Sequence, residues 1–344
     1  MIFSMAVRLL LPVVGLMCAC AGAQTGDRAL GATVERHVVA MGTSLRLTVT
    51  GADRTAALRA SEAAVRAVEA TEQRLSTWRA DSELARFAAV PVGELFPASA
   101  ELRGELRRAA RWRDATQGAF DVDLGELLAI YDLRGAGRWP SERELAAVMR
   151  RRADPPVTIG ARGLQKQRGV AFDAGGFGTG AGLDAAAAAA LASGASAAEF
   201  DFGGQLHLAG DVCARDVELA DPRDRTRRVL RVRVAGGSVA TTANSERRRS
   251  VGGRALGHVL DPRTGAPAAD FGAVTVFASS AFDADCLSTA CYVLGPANAL
   301  LLAERTAGVE LVVLEMTAAG ELRVRASSGL RGRVEPLLSG ISVQ

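Results

Sequence analysis

A carboxylate and a hydroxyl stand four residues apart in the run Asp283-Ala284-Asp285-Cys286-Leu287-Ser288-Thr289. On a helix, Asp285 and Thr289 share one face. Their oxygens suit a hard cation such as Mg2+, which takes few protein ligands and completes its shell with water and substrate phosphate. The same run also reads as helix capping, because Ser280 and Asp283 are good N-terminal residues and acids favour that end. A second run is His258-Val259-Leu260-Asp261-Pro262-Arg263-Thr264-Gly265. It reads as a short strand ending in a proline-containing turn closed by glycine. An imidazole titrates near working pH, so His258 is a candidate general base; a hydrogen-bonded structural histidine is the competing reading. The chain has three histidines, and His37 and His207 lack comparable polar neighbours. Asp261 and Arg263 are read as organisers of the turn.

The third run is glycine-rich: Asp173-Ala174-Gly175-Gly176-Phe177-Gly178-Thr179-Gly180-Ala181-Gly182-Leu183-Asp184. Glycines between a strand and a helix let backbone N–H groups face an anion, typically phosphate. The spacing is neither the dinucleotide fingerprint nor a P-loop. A tight strand-to-helix turn is the alternative. The fourth run is Leu75-Ser76-Thr77-Trp78-Arg79-Ala80-Asp81-Ser82-Glu83-Leu84. Trp78 could stack on a planar ring with Arg79 over a face, or lie half-buried as a structural tryptophan.

The elements that must hold these runs alternate between strand and helix. Residues 33–50 read as a strand pair or one long strand. Apolar spacing predicts helices at 55–75 and 99–116. Another is expected at 141–152, with Pro140 at its start. Short strands are expected at 157–159, 170–172 and 198–202, with a helix at 181–193. Strands at 212–219 and 229–234 should pair around a charged, turn-like segment at 221–228. A strand at 273–279 leads to helices at 281–294 and 296–306, and strands at 311–314 and 322–324 close the chain. The expected class is α/β (α+β), with two interleaved subdomains, mixed sheets and a shared cleft.

Composition narrows the function. The 344 residues carry 41 basic and 38 acidic groups, for a net charge of +3. Near-neutrality and 5% aromatic residues argue against a nucleic-acid partner. Arg8 precedes an apolar run from Leu9 to Met17, the pattern of a secretory signal over residues 1–20. Met17-Cys18-Ala19-Cys20 resembles a lipobox, which would lipidate Cys20; Ala21-Gly22-Ala23 would suit ordinary signal peptidase. Residues 21–32 are then a flexible linker, and 33–335 the folded domain. Either processing route exports the protein, to the periplasm, with any membrane attachment made by lipid alone. The remaining cysteines, Cys213, Cys286 and Cys291, form no zinc pattern and read as small core residues.

Taken in order, these runs resemble the ApbE family, the FAD:protein FMN transferases. Met41-Gly42-Thr43 matches the family's MGT. Ser76-Thr77-Trp78 with Asp81-Ser82-Glu83-Leu84 matches its ST-aromatic and DSEL segment. Ala119-Phe120-Asp121 with Gly125 matches its FD and G. Asp173 to Asp184 matches its glycine loop, and Phe202-Gly203-Gly204 its GG strand end. Ala240-Thr241-Thr242 before Glu246-Arg247 matches ATSG and ER; His258 to Gly265 and Asp285 to Thr289 match the last two motifs. The resemblance spans about residues 33–330.

The resemblance implies FAD as donor, Mg2+ as cofactor, and transfer of FMN to a Ser or Thr of an acceptor protein as a phosphoester, with AMP released. The implied acceptor is a membrane-associated electron-transport subunit. Met41, Trp78, Ala119 and Phe120 are expected around FAD, together with Asp121, Asp173, Thr179 and Val259. Asp285, Thr289 and the backbone oxygen of Gly176 are expected to hold Mg2+, and His258 to activate the acceptor hydroxyl. This chain departs from the family at Thr179, where many members have lysine, at Ala243, where glycine is usual, and at Ala174, where leucine is usual. The alternatives are an FAD pyrophosphatase producing FMN and AMP, and a non-catalytic exported flavin-binding lipoprotein.

Overall fold

A computed structural model describes residues 31–152, 156–244, 249–317 and 319–344. The expected signal segment at 1–20, most of the expected linker, and Glu246 with Arg247 lie outside the described residues.

The chain opens with a hairpin, β1 (Ala32–Ala40) and β2 (Thr43–Gly51), whose register places Ala40 opposite Thr43. Two residues therefore make the turn, Met41 and Gly42, at φ +49° and +75°. Positive φ at both centres matches the twist of a two-residue hairpin. Met41 tolerates a backbone conformation costly for a side chain, which points its neighbourhood out as one to watch.

Helix α1 (Arg54–Leu75) is capped by Asp53, which accepts from the Ala56 N–H. Short α2 (Glu83–Ala89), β3 (Leu95–Phe96), α3 (Ala100–Ala115), α4 (Gly125–Ile130) and α5 (Glu142–Arg151) follow. Ser141, not Pro140, caps α5, and with Glu144 it forms a reciprocal capping box. Strands β4 (Val157–Ile159) and β5 (Leu164–Lys166) join β3 in a small sheet. The expected strand at 170–172 does not form. Phe172 instead packs on Phe87, ring centres 5.5 Å apart, so its apolar character serves a core, not a ladder.

Helix α6 (Gly178–Ala192) is mostly glycine and alanine, with Thr179 and Asp184 as its polar members. A helix with so small a polar face needs neighbours to cover it. It lies against α1 and the sheet, in a core with Leu45, Leu47, Val68, Leu183, Phe200 and Phe202. Then come β6 (Ala195–Phe202), β7 (Gln205–Gly210), β8 (Arg215–Asp221), β9 (Asp224–Val234), β10 (Gly237–Ala243), β11 (Arg249–Val251), β12 (Arg254–Leu256) and β13 (Gly272–Ala278). The segment 221–228 is mostly strand, because β9 starts at Asp224. The chain closes with α7 (Ala281–Arg305), β14 (Val309–Met316), β15 (Leu322–Ala326) and β16 (Val334–Pro336).

Eight strands form the main sheet, in the order β1-β2-β6-β7-β10-β13-β14-β15. Every pairing between these strands is antiparallel, where a mixed sheet was expected. β1-β2, β6-β7 and β14-β15 pair as hairpins, the other neighbours are joined by longer excursions, and the helices sit over one face, which makes the architecture α+β. All seven residues of β13 are buried. One face of the sheet near β13 meets α7 through Val274, Val276, Leu287 and Leu302; the other meets the β16-β9-β8 sheet through Ala273, Phe277, Val229 and Leu230. Double coverage explains the unbroken apolar run of β13.

Helix α7 breaks at Gly295 (φ +77°), with Pro296 next, at the boundary expected between two helices. It is long and apolar enough to cross a membrane by length and composition alone, but half of that window is buried in the fold. Residues Gly31–Gln344 make one compact unit. Cys286 and Cys291 are buried as expected, whereas Cys213 is exposed because it precedes β8 outside any core cluster.

Candidate active site

The glycine loop does form the entry to a helix. Phe177 stands at the N-terminal end of α6 without a side-chain cap. The Gly180 N–H finds its partner outside the helix: it donates to Asp285 Oδ2 on α7 at 2.9 Å. A Cβ at Gly180 would meet the Ala281 carbonyl oxygen and lie 2.7 Å from Phe282 Cα. The two helix starts can touch only because that residue has no side chain. Asp184 returns the contact. Its carboxylate accepts from Ala281 N–H at 2.6 Å and Ser280 Oγ at 2.7 Å, so a residue of α6 caps α7. Arg108 of α3 donates to Asp184 and Asp283, and the Trp112 indole N–H donates to Asp283 at 2.7 Å. Ser280 is the N-cap of α7, as its sequence position suggested.

Two of the residues expected to hold the metal, Gly176 and Thr289, are neighbours beside this joint. A Cβ at Gly176 would lie 3.4 Å from Thr289 Oγ1 and 3.2 Å from Phe120 Cε2. Thr289 Oγ1 donates weakly to the Asp285 carbonyl at 3.4 Å, one turn back on α7. Gly176, Thr289 and the Phe120 ring are therefore neighbours, and Asp285 stands one turn before Thr289 on α7. Burial pushes the Asp285 carboxyl up to about 7, against the lowering effect of the Gly180 N–H. A desolvated carboxylate with a single backbone donor is one that a cation would stabilise. Among the described residues no group of three or more His, Cys, Asp or Glu could hold a metal. The expected ligands are one carboxylate, one hydroxyl and one backbone carbonyl, the sparse kind of set that Mg2+ accepts when phosphate completes its shell.

The aromatic segment lies at the other end of the loop. Trp78 is 76% exposed, not half-buried. Arg134, not Arg79, covers its ring, with the guanidinium carbon 4.5 Å from the centroid. Arg79 forks onto Asp81 instead. Arg134 also donates to Thr77 Oγ1 at 2.9 Å and to Asp173 Oδ1 at 3.3 Å. Asp173 folds over its own loop and accepts the Gly175 N–H at 3.0 Å. The Met41 side chain reaches the same loop, with Cε 3.1 Å from where a Gly178 Cβ would be. Thr179 sits half-buried in the first turn of α6.

Ala119 and Phe120 are buried, and Phe120 N–H donates to Thr116 Oγ1 at 3.1 Å. Asp121 is engaged by two arginines. It accepts from Arg152 at 2.9 Å and faces Arg113 at 3.8 Å. Beside it, Asp123 pairs with Arg168 at 2.7 Å and Arg152 at 3.5 Å. Desolvation raises the Asp123 carboxyl, opposed by those two cations. The Ala171 N–H donates to Asp123, and the Asp173 N–H to the Val122 carbonyl, so this ion-pair knot ties the Phe120 segment to the start of the glycine loop.

His258 lies in a bend, not a strand; only Leu260 bridges, to Pro267. Asp261 and Arg263 do organise the turn: the guanidinium forks onto the carboxylate, and the Gly265 N–H donates to the Asp261 carbonyl. The bend is held from behind by Asn244, which is 2% exposed. Its Oδ1 accepts the Val259 N–H at 3.2 Å, and Gly257 lies too close to its amide to admit a Cβ. Val259 packs in one core with Ala284, Leu287 and Cys291, so the bend is seated on α7. Thr242 Oγ1 and Ser288 Oγ, 2.8 Å apart, fasten β10 to the same helix.

Sequence reasoning missed Arg134, the capping role of Asp184, and the supporting role of Asn244. Each acts across at least 15 residues of chain, and of the three only Asp184 lay inside a quoted motif.

Comparison with known proteins places the chain in a family. The model of the ApbE family matches residues 41–313. The chain is 29% identical to the FAD:protein FMN transferase of Treponema pallidum over 344 residues, covering 92% of this chain and 93% of the relative. It is 28% identical to the enzyme of that name from Klebsiella pneumoniae, covering 80% and 83%. Among solved structures, the ApbE protein of Thermotoga maritima superimposes with a TM-score of 0.79 at 25% identity, covering 88% of this chain and 99% of that one. The flavin transferase ApbE of Vibrio cholerae gives 0.75 at 25% identity, with the same coverage. With the match running from the hairpin turn at Met41 to the end of the core of β14, the chain belongs to the ApbE family.

Proposed function

We propose that this protein is a flavin transferase that moves FMN from FAD to a Ser or Thr hydroxyl of an acceptor protein, releasing AMP, with Mg2+ as cofactor. The observation that carries this reading is the joint of α6 and α7, where Asp285 accepts the Gly180 N–H and Thr289 lies beside Gly176 of the glycine loop. The names of its relatives support the same activity.

In this reading the glycine loop receives the pyrophosphate, since a helix start and glycine backbone favour an anion. Trp78 offers a face to a planar ring, and Met41 and Phe120 close the loop's flanks. His258 takes the proton of the acceptor hydroxyl, whose oxygen attacks the phosphorus on the riboflavin side. An ester P–O bond forms, the pyrophosphate P–O bond breaks, and AMP leaves. Mg2+ held by Asp285, Thr289 and the Gly176 carbonyl would offset charge on the phosphoryl oxygens. Asn244 fixes the bend that presents His258.

Export to the periplasm and lipid attachment at Cys20 are part of the proposal, and rest on the pattern of residues 1–20. A membrane-associated electron-transport subunit is the proposed acceptor, because both proteins would then share one surface.

The test is in-gel flavin fluorescence of an acceptor domain incubated with the protein, FAD and Mg2+, with the acceptor mass rising by FMN less water. The signal should vanish in His258→Ala and Asp285→Ala. AMP release without acceptor would identify the pyrophosphatase instead, and FAD binding without either product a flavin-binding protein.

A further inference from the structure

We propose that Arg134 is a positioning residue for the flavin dinucleotide: it holds Trp78 as a ring platform and neutralises Asp173 beside the glycine loop. The proposal rests on the reading of FAD as donor.

Trp78 is the most exposed aromatic group among the large apolar side chains at the surface, at 76%. An indole left in water needs a reason, because burying it would be favourable. Arg134 occupies one of its faces at 4.5 Å. A cation over one face keeps the ring from collapsing onto the protein and leaves the opposite face open to a flat partner.

The guanidinium is itself immobilised. It donates to the Thr77 hydroxyl at 2.9 Å and to Asp173 at 3.3 Å, so it bridges the residue before the indole and the first residue of the loop. Its backbone is held too. Asp132, two residues earlier, has φ +49° and accepts at its carbonyl from the Gly135 and Gly137 N–H groups. Arg249 donates to the Leu133 carbonyl at 2.8 Å. A strained, multiply tied turn is a costly way to present a side chain that merely faces solvent.

Asp173 explains the second half of the role. Its carboxylate lies back over the loop, accepting the Gly175 N–H, and a Cβ at Gly175 would stand 2.8 Å from Oδ2. A negative charge at the mouth of an anion-binding loop opposes a pyrophosphate. The Arg134 ion pair cancels that charge where the ligand would enter.

The test is FAD binding by the purified protein, followed by flavin fluorescence and by quenching of tryptophan emission, with Trp78→Phe isolating the share that comes from Trp78. Arg134→Ala should weaken FAD binding on the order of tenfold, the scale of one cation–π contact plus one ion pair. Arg134→Lys keeps charge but loses the planar fork, so its affinity should fall between the two. Adding Asp173→Asn to Arg134→Ala should recover part of the loss, a non-additivity that a merely structural arginine would not produce. Equal FAD affinity in wild type and Arg134→Ala overturns the proposal and leaves the transferase reading standing. An affinity loss untouched by Asp173→Asn overturns the electrostatic role. Failure of the wild type to bind FAD overturns both readings. If Arg134→Ala does not fold, by circular dichroism, Arg134→Gln takes its place with the same expectation.

Discussion

The Gly180 N–H of α6 donates to the Asp285 carboxylate of α7 at 2.9 Å, while Asp184 of α6 caps the start of α7. Two helix N-termini are thereby locked side by side, and a carboxylate from one is held among the backbone donors of the other. Positive ends of helix dipoles converge there, which favours a phosphate ligand and raises the cost of any displacement.

Gly180→Ala tests the lock. The new Cβ would collide with Ala281 and Phe282, both backbone, which cannot rotate away. Overpacking of this kind costs ~1–3 kcal/mol. Thermal unfolding should occur a few degrees lower, and flavin transfer should fall further than stability does, because the helices separate at the site. An unchanged melting temperature would mean that α6 and α7 have more freedom than their contact distance allows.

Asp285 makes the metal-free protein pH-sensitive. Its carboxyl is raised from 3.8 to about 7 by burial, so the folded state holds a proton that the unfolded chain releases. Folding stability from this group is present below the unfolded value and is lost as pH rises toward 7. The stability difference between wild type and Asp285→Asn should therefore shift against wild type between pH 4 and 7, read by denaturant unfolding without metal. Mg2+ requires the ionised form, so calorimetry should show its binding releasing a proton at pH 6 and almost none well above pH 7. Metal binding independent of pH across that range would remove Asp285 from the ligand set.

The sequence exposed the site's chemistry better than its support. Asp285 and Thr289 lie within one helical turn, and the Gly295–Pro296 break of α7 follows from local backbone rules. Strands β7 and β10, central in the main sheet, carry serine, threonine, glycine and glutamine, and their burial comes from neighbours far away in sequence. The segment 170–172 shows the converse: a short apolar run that reads as a strand is taken into an aromatic core instead. The ion pairs of Asp121 with Arg152 and Arg113 were not legible in the sequence, because both arginines stand on other elements. The contact of Arg134 with Trp78 has no signature along the chain, since it joins a turn after α4 to the loop after α1.

Asp123 is the stability anchor of the Phe120 segment. Its side chain is 2% exposed and faces Arg152, at 6%, and Arg168, at 15%. Asp123→Ala would leave two guanidinium groups short of a buried partner and free the Ala171 N–H. Removing one member of a buried pair costs ~3–5 kcal/mol. Denaturant unfolding should show a loss of that size, and soluble yield should drop with it. A loss under ~1 kcal/mol would mean that water reaches the knot, as at a surface ion pair.

Asn244 separates the positioning of His258 from its chemistry. Its Oδ1 is the acceptor for the Val259 N–H, and its Nδ2 donates to the Ala268 carbonyl at 3.4 Å. Asn244→Ala would leave the buried Val259 donor without its partner, a cost of ~1–3 kcal/mol. The bend would then lose its rear support while the His258 side chain stays intact. Transfer should slow, and the variant should keep the pH dependence of the wild-type rate, because the proton acceptor is the same group. His258→Ala should abolish that dependence along with the transfer. A shifted pH profile in Asn244→Ala would instead show that Asn244 tunes the imidazole itself, beyond holding the loop that carries it.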